Sequence, residues 1–340
     1  MVTELSKEDE VSQIKMHRPH VVILGAGASI ASFLSGDKNG KKLPSMLNFV
    51  QVLGLSTMLD KAGIEHEGRN FEDIYDQIHK DANLVSLRLE LEKTVYDYFN
   101  SLEIKDEPTI YDHLVLSLRE KDVIATFNWD PFLVQALRRN GMNGRGFKLP
   151  RLQFLHGNVK IGYCHKDKVT GALGAACSHC NQRFVPSRLL YPIGKKDYHL
   201  DEFISEQWSD LHKLMENAFM ITVFGYGAPT SDASAIDLMK AAWGDKYSRS
   251  MEQTEIIDIR SEEDLRATWE PFIHTHHYEV HSNFYDSWIA NHPRRTGEAY
   301  LNQYVEALFI DNNPIPKDSD FPELWDWVDK LCEVEERNTP

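Results

Sequence analysis

The sequence predicts an α/β protein whose core is a doubly wound parallel sheet, because short apolar runs alternate with segments of helical periodicity. The run His20–Leu24 (HVVIL) is rich in β-branched residues and stops at a glycine, as a buried parallel strand entering a turn does. Phe219–Phe224 (FMITVF) has the same character. Further strands are predicted at Asp122–Phe127, Leu152–Leu155 and Glu255–Ile259. Ligands of such sheets bind beyond the carboxyl ends of the strands.

The 340 residues are enough for one large α/β domain with inserted segments. Residues 1–18 are polar and charged and are predicted to form a flexible tail, while residues 19–310 form the sheet domain. Apolar side chains spaced three and four residues apart predict a helical insertion at about 43–118. Residues 160–183 are rich in Gly, Cys, His and Lys and indicate a small inserted module, and residues 311–340 are predicted to be a C-terminal helical extension.

The formal net charge of −15 and the pI near 5.4 argue against direct nucleic-acid binding, because an acidic protein repels a phosphate backbone. The longest apolar runs are far shorter than the roughly 20 residues that cross a bilayer. We therefore expect a cytoplasmic protein that does not enter the membrane. Three of the four cysteines lie close together, which in that compartment favours a metal site over a disulfide.

A glycine turn follows the first predicted strand. Gly25, Ala26, Gly27 and Ser29 belong to the motif GAGAS, whose backbone could approach a phosphate group without a side chain intervening. The same motif is equally compatible with a turn that has only a structural role. The motif by itself leaves both interpretations open.

Two further polar motifs follow predicted strands. Thr126 to Asp130 read TFNWD, in which the Asn128 amide can both donate and accept hydrogen bonds, and Asp130 could either serve a site or only cap the next helix. His156 lies in the motif LHG at the end of another strand, where an imidazole can accept a proton near neutral pH. These side chains are therefore expected to meet at one edge of the sheet.

The order of GAGAS, TFNWD, LHG, a cysteine-bearing module and VFGYG resembles the sirtuin superfamily over about Val21 to Arg260. Within it, the sequence is most similar to divergent bacterial sirtuin-like NAD hydrolases of antiphage defence. The resemblance implies a Rossmann-like NAD-binding domain in which Asn128 and His156 are catalytic. The cofactor-binding residues that it implies are Gly25, Ala26, Gly27, Ser29, Thr126, Asp130, Gly225, Gly227 and Asp258.

Two departures from the sirtuin pattern argue against peptide deacylation. Ser29–Gly40 lacks the arginine that follows the glycine turn in deacylating sirtuins, and Ser187–Lys196 does not resemble the acyl-lysine-binding segment. Water is then the available nucleophile, which predicts hydrolysis of NAD to nicotinamide and ADP-ribose. A protein-lysine deacylase and a non-catalytic NAD or ADP-ribose sensor remain as alternatives.

The cysteine module departs from the pattern as well, because only Cys177 and Cys180 form a complete Cys-x-x-Cys pair. The resemblance implies structural zinc bound by these two residues and Cys164, with a fourth ligand taken from His165, Asp167 or His179. We assign His165 as that ligand. The alternative is a metal-free hairpin with buried thiols.

An enzyme that depletes NAD would be toxic if it were always active, so we expect control by homo-oligomerisation or by a co-encoded regulatory protein. The helical insertion and a last amphipathic helix at Leu324–Val334 are the candidate surfaces. On that helix Trp325, Trp327 and Leu331 could form an apolar face for a partner. Alternatively, these side chains pack into the core of the chain itself.

Overall fold

A computed structural model describes residues 4–193, 196–245, 247–249, 251–273 and 277–338. Three parts of the sequence predictions lie outside these described residues. They are residues 1–3 of the predicted tail, residues 194 and 195 of the segment 187–196, and residues 339 and 340 of the predicted C-terminal extension.

The strands of the described residues form three sheets. In chain order they are β1 (Glu4–Leu5), β2 (His20–Leu24), β3 (Val123–Thr126), β4 (Arg151–Phe154), β5 (Ile161–Cys164), β6 (Val169–Ala172), β7 (Val185–Pro186), β8 (Met220–Phe224), β9 (Gln253–Ile257), β10 (Tyr278–His281) and β11 (Phe309–Ile310). The five predicted strands correspond to β2, β3, β4, β8 and β9, with boundaries that differ by no more than about two residues, the usual uncertainty of element ends.

The α-helices of the described residues surround the largest sheet. In chain order they are α1 (Lys7–Ser12), α2 (Ala26–Ser32), α3 (Phe49–Leu53), α4 (Ser56–Lys61), α5 (Phe71–Lys80), α6 (Val85–Asn100), α7 (Ile110–Leu116), α8 (Phe132–Gly141), α9 (Glu202–Asn217), α10 (Ala233–Trp243), α11 (Glu262–Trp269), α12 (Trp288–Asn291), α13 (Thr296–Tyr300) and α14 (Phe321–Asn338). Short 3-10 turns occur at Ala82–Leu84, Thr230–Asp232, Glu270–Phe272 and Phe284–Asp286, and a π-helical turn at Leu301–Val305.

The main sheet has the strand order β10-β9-β8-β2-β3-β4, and all its strand pairs are parallel. It is covered on both faces, because alternate residues of a strand belong to different apolar clusters. In β2, Val22 and Leu24 pack with the helices of residues 49–100 and with α14, whereas Val21 and Ile23 pack with α9, α10 and α11. The predicted doubly wound α/β fold is therefore confirmed.

The edge strand β10 was not predicted. Its residues Tyr278–His281 (YEVH) are only half-buried, because a neighbouring strand pairs with one side alone. Its sequence has no apolar run, so β10 lacks the signal by which the other five strands of the sheet were recognised.

The predicted flexible tail is wrong for part of its length. Residues 7–12 form helix α1, whose first turn is held by a capping box between Ser6 and Asp9. Glu10 is 1% exposed and its carboxylate contacts His292 Nδ1 at 2.9 Å. A buried carboxylate with a histidine partner fixes this segment to the domain. The polar composition of residues 1–18 concealed that contact.

The C-terminal helix α14 packs against the chain's own core. Leu324, Val328 and Leu331 are buried, and Trp325 Nε1 donates to Asn140 Oδ1 at 2.8 Å. Trp327 is half-buried against the same core. Of the two interpretations of this helix, the structure supports packing within the chain. None of the helices described is both long and apolar enough to cross a membrane.

Candidate active site

A cavity of about 300 Å³ lies beyond the carboxyl ends of β2, β3, β4 and β8. Its lining includes eight of the predicted site residues: Gly25, Ala26, Ser29, Asn128, Asp130, His156, Gly225 and Gly227. Residues from the helical insertion and from later loops complete it: Leu43, Pro44, Met46, Phe49, Asn70, Glu72, Phe99, Phe127, Trp129, Leu190, Pro192, Lys196, Tyr226, Pro229 and Asp232. The cavity thus lies where a parallel sheet offers a ligand site.

Two glycine turns pack against each other at one wall of the cavity. Gly27 N donates to Gly225 O at 2.9 Å, and Gly25 N donates to Phe224 O at 3.1 Å. A Cβ atom on Gly225 would lie 2.2 Å from Ala28 N, and Gly225 has a φ of +62°. Close packing of the two turns therefore requires these glycines, and the amides of Gly25 and Gly27 are already hydrogen-bonded to the chain. Gly227 differs, since a Cβ atom there would meet open space.

The side-chain amide nitrogen of Asn128 is fixed by hydrogen bonds within the chain. Nδ2 donates to Gly25 O at 2.9 Å and to Ser29 Oγ at 3.0 Å, with Tyr111 OH at 3.3 Å. Thr126 Oγ1 accepts from the Asn128 backbone amide at 3.0 Å and so shapes the turn from outside the cavity lining. With Nδ2 occupied, the Asn128 carbonyl oxygen is the atom available to a ligand. Asn128 can therefore accept a hydrogen bond from a water, a hydroxyl or a carboxamide N–H.

Asp130 accepts from the first backbone amide of α8 and belongs to the buried polar network of the cavity. Its Oδ1 accepts from Phe132 N at 3.2 Å, and its Oδ2 accepts from Ser29 Oγ at 2.6 Å. Burial raises the pKa of Asp130 to about 6, although its hydrogen bonds with Ser29 and Phe132 act in the opposite direction. Tyr111 completes the network with its hydroxyl 2.5 Å from Ser29 Oγ. Asp130 can therefore contact the start of α8 and take part in the polar network of the cavity at the same time.

His156 lies among aromatic side chains at the end of β4. Its ring packs edge-on against Phe127, with 4.7 Å between ring centroids, and lies nearly parallel to the Tyr198 ring at 5.8 Å. Its Nε2 is 3.2 Å from Tyr198 OH and 3.7 Å from Asp232 Oδ1. Burial, aided by the Lys196 charge and opposed by Asp232, lowers the pKa of His156 to about 3. The imidazole is therefore neutral near pH 7.

Lys196 and Asp232 form a buried ion pair beside that imidazole, and both side chains are 5% exposed. Asp232 Oδ2 also accepts from Tyr226 OH at 2.9 Å. Burial alone would raise the pKa of Asp232, but His156, Lys196 and the hydrogen bonds to the carboxylate hold it below its usual value. Asp232 is therefore a carboxylate, with Lys196 as its counter-charge.

Three predicted cofactor residues do not line the cavity. Gly27 and Thr126 lie behind it, where they support the turns that carry Ala26 and Asn128. Asp258 follows β9 as predicted, but its carboxylate binds the Arg260 guanidinium at 2.9 Å. The ribose contact that the resemblance implied for Asp258 stays a prediction.

The cysteine module contains a compact group of four possible metal ligands. Cys164, Asp167, Cys177 and Cys180 bring their ligand atoms within 4.8 Å of one another. The Sγ atoms of Cys164 and Cys180 are 3.5 Å apart, and Cys177 Sγ is 3.2 Å from Asp167 Oδ2. Tetrahedral zinc with Zn–S bonds of about 2.3 Å would place its sulfurs about 3.7 Å apart. Three thiols and one carboxylate therefore fit structural zinc.

The assignment of His165 as the fourth ligand is wrong. Its Nδ1 lies 3.3 Å from Glu202 Oε2, and its side chain is 62% exposed. Asp167 takes that position because the tight turn between β5 and β6, in which Lys168 N donates to Cys164 O at 2.8 Å, folds residue 167 back toward the thiols. Spacing alone left His165, Asp167 and His179 equivalent, and the turn distinguishes them.

Among the polar residues at the site that sequence analysis missed are Glu72, Tyr111, Lys196 and Asp232. Tyr111 and Glu72 lie on helices of the insertion, which the helical periodicity identified only as a separate structural element. Asp232 had a usable signal, because it stands in a Ser- and Pro-containing loop soon after the carboxyl end of β8. Lys196 lies in a segment without secondary structure, where the sequence gives no signal.

Comparison with known proteins gives limited information. No family model and no curated protein matches the sequence. A solved Sir2 homologue in complex with NAD is 13% identical with a TM-score of 0.39, covering 90% of this chain and 96% of that one. Sir2 bound to acetylated peptide is 14% identical with a TM-score of 0.36, covering 85% and 93%. A structure solved for sirtuin substrate affinity is 18% identical with a TM-score of 0.38, covering 72% and 84%. At these identities and TM-scores, the similarity decides neither family nor activity.

Proposed function

We propose that this protein binds NAD in the cavity and hydrolyses its nicotinamide–ribose bond, giving nicotinamide and ADP-ribose. The observation that carries the proposal is the meeting of Asn128 and His156 at one cavity. These side chains come from separate segments, and one offers a hydrogen-bond acceptor while the other is a neutral imidazole. Two side chains with only a structural role would not need to lie at the same cavity.

Departure of nicotinamide leaves an electron-poor ribose carbon, so the reaction requires a positioned nucleophile and a proton acceptor. The Asn128 carbonyl oxygen can orient a water or hold the carboxamide, because Nδ2 is fixed by Gly25 and Ser29. The neutral His156 imidazole can take the proton from the attacking water or from a ribose hydroxyl. The apolar surroundings, including Phe127 and Trp129, strengthen these polar interactions by excluding bulk water.

Gly227 and Ala26 present little side-chain bulk to the cavity and would pass close to the bound dinucleotide. We assign Ser29 and Asp130 to the support of Asn128, since both belong to its hydrogen-bond network. In the cysteine module we propose structural zinc bound by Cys164, Asp167, Cys177 and Cys180. Zinc there would hold the three-stranded sheet of β5, β6 and β7.

The test is incubation of purified protein with NAD, with and without an acetylated peptide. We expect free ADP-ribose and nicotinamide without peptide. Acetylated ADP-ribose formed only with peptide would instead identify a deacylase, and tight NAD binding without turnover would identify a sensor. Either result contradicts the proposal.

Asn128→Ala and His156→Ala should each lower NAD cleavage by at least about 10²-fold, the usual effect of losing a catalytic polar group. His113→Ala is the matched control for the histidine. His113 is also buried and its Nδ1 is 2.7 Å from Tyr285 OH, but it lies outside the cavity lining. Asn140→Ala serves in the same way for Asn128, because Asn140 is buried and hydrogen-bonded to Asp112. Wild-type rates in either cavity variant exclude that residue's assigned role.

A cytoplasmic NAD hydrolase would serve antiphage defence by depleting NAD, and we propose this physiological role together with control by self-association or by a regulatory protein. Cells expressing the chain alone and with its genomic neighbours should differ in NAD content after phage infection. Equal NAD content in infected and uninfected cells under both conditions removes the defence role while leaving the chemistry intact.

A further inference from the structure

The ion pair between Lys196 and Asp232 is placed to control the state of His156. Both side chains are 5% exposed, and burying two charges costs several kcal/mol per ion before their attraction is counted. Neither residue contributes to the apolar core, and both line the cavity. A pair of this kind requires an explanation beyond stability, because apolar side chains of equal size would pack as well.

The negative charge of Asp232 favours one of the two neutral forms of His156. Asp232 is ionised and can only accept, and it accepts from Lys196 and from Tyr226 OH. The same carboxylate lies beside His156 Nε2, where its charge favours an N–H on that nitrogen. The proton on His156 Nε2 is then donated to Tyr198 OH at 3.2 Å. The neutral ring consequently carries its proton on Nε2 and its free lone pair on Nδ1.

Lys196 has a separate role in this arrangement. Asp232 Oδ1 is 3.7 Å from His156 Nε2, a distance at which an uncompensated carboxylate favours the imidazolium. The Lys196 ammonium supplies the opposite charge, and Tyr198 OH is the hydrogen-bond partner of the same nitrogen. Glu72 is the next charged group, on α5, and its carboxylate accepts from Ser231 Oγ at 3.1 Å.

We propose that Lys196 and Asp232 are a positioning pair for His156, in which the Asp232 carboxylate favours a proton on Nε2 and the Lys196 ammonium keeps that carboxylate from stabilising the imidazolium. The role of the pair in NAD cleavage rests on the proposed function. Its effect on the imidazole does not, and can be measured without NAD.

The first experiment is ¹⁵N NMR of histidine-labelled protein, compared in the wild type, Lys196→Met, and the double variant Lys196→Met with Asp232→Asn. The wild type should show the Nε2–H tautomer and no titration of His156 above about pH 5. Lys196→Met should raise the pKa of His156 by about one to three pH units, the effect of an unscreened neighbouring carboxylate. The double variant, which has neither charge, should return the titration toward that of the wild type.

The second experiment is the pH dependence of NAD cleavage in the same three proteins. The rate of Lys196→Met relative to the wild type should fall as the pH decreases from 8 to 5, by up to about tenfold if the pKa of His156 rises by three units, and the double variant should recover part of that loss. A merely structural role predicts the opposite, because removing both partners of a packed pair would then be no better than removing one. Thermal melting of each protein shows that it is folded.

An unchanged His156 titration in Lys196→Met, or a double variant no closer to the wild type than the single variant, overturns the proposal. If Lys196→Met does not fold, the tautomer of the double variant decides, because that protein lacks the carboxylate that favours the proton on Nε2. A mixture of Nδ1–H and Nε2–H forms then supports the proposal, and a pure Nε2–H form refutes it. If the wild type shows these NMR signatures but no NAD cleavage, the proposed function fails and the positioning pair stands.

Discussion

The cavity and the cysteine module differ in how far apart their residues lie in the sequence. The module's four ligands come from residues 164–180, whereas the lining residues of the cavity extend from Gly25 to Asp232 and meet only because parallel strands place their carboxyl ends together. The module's ligands share one small sheet, and the cavity depends on the whole core. Substitution of one ligand should therefore affect only the module. A substitution that disturbs the backbone at the cavity should instead destabilise the entire domain.

The largest effect is expected in the module, where Cys177→Ser should change the zinc content from about one ion per chain to none. Cys177 is 1% exposed and its thiol faces Asp167, so a hydroxyl cannot replace it as a soft ligand. Elemental analysis of the purified protein measures this change. His165→Ala is the control, because His165 is exposed and pairs with Glu202, and it should keep its metal. Equal metal content in both variants, whether full or absent, would show that these residues do not form the zinc site.

The cavity is most sensitive at Gly225. Gly225→Ala should lower the free energy of unfolding by about 2–4 kcal/mol, because a Cβ atom would meet the Ala28 backbone at 2.2 Å and the φ of +62° disfavours alanine. Chemical denaturation measures the difference. Gly227→Ala is the matched control, since nothing lies within 4 Å of its added Cβ atom. Comparable losses in the two variants would contradict the close packing of the two turns.

Substitution of Asp130 should instead raise the free energy of unfolding, by a smaller amount. Its pKa of about 6 in the folded protein lies above the value of 3.8 for an exposed carboxyl, so the ionised folded state is penalised by up to about 3 kcal/mol. That penalty is complete above pH 6 and disappears as the pH falls from 6 to about 4. Asp130→Asn should therefore be more stable than the wild type by about 1–3 kcal/mol at pH 7, and less so at pH 5.

Unfolding curves of wild type and Asp130→Asn at pH 5 and pH 7 test this sign. Asp258→Asn is a suitable comparison, because its carboxylate pairs with Arg260 and its substitution should bring no gain. A stability difference for Asp130→Asn that is independent of pH, or one that grows at pH 5, would exclude the ionised buried carboxylate.

The smallest effect is expected for Tyr111→Phe. The variant loses the hydroxyl beside Ser29 and Asn128, which should cost about 1 kcal/mol of stability and lower NAD cleavage by about tenfold. Tyr285→Phe should lose similar stability, since its hydroxyl pairs with His113, but should cleave NAD at the wild-type rate. Equal rates in the two variants would show that Tyr111 does not support Asn128.

The inner part of the fold could be predicted from the sequence because burial on both faces of the sheet demands uninterrupted apolar runs. His20–Leu24 agrees with β2 at both ends for this reason. The edge strand β10 and helix α1 were missed, since one is only half-buried and the other is anchored by a buried Glu10 carboxylate. The spacing of apolar residues carries no information about a half-buried edge strand or about a buried contact between a carboxylate and a histidine.

Part of the candidate site could also be predicted, because two of its side chains follow buried strands. Asn128 and His156 stand directly after predicted strands, so the topology alone brings them to one edge. Lys196 reaches the same cavity from an irregular segment, and Tyr111 contacts Ser29 and Asn128 from helix α7. In neither case does a local sequence pattern fix the direction of the side chain. The choice of Asp167 over His165 depended on a tight turn, which residue spacing does not encode.

The buried guanidinium groups near the C-terminal helix constrain the order in which the chain assembles. Arg294 and Arg295 are 2% and 1% exposed, and both donate to the Glu335 carboxylate on α14. Without Glu335 two like charges would be enclosed without the carboxylate to which both of them donate. Docking of α14 must therefore accompany closure of the core, which makes this helix part of a single cooperative folding unit and not an appendage added afterwards.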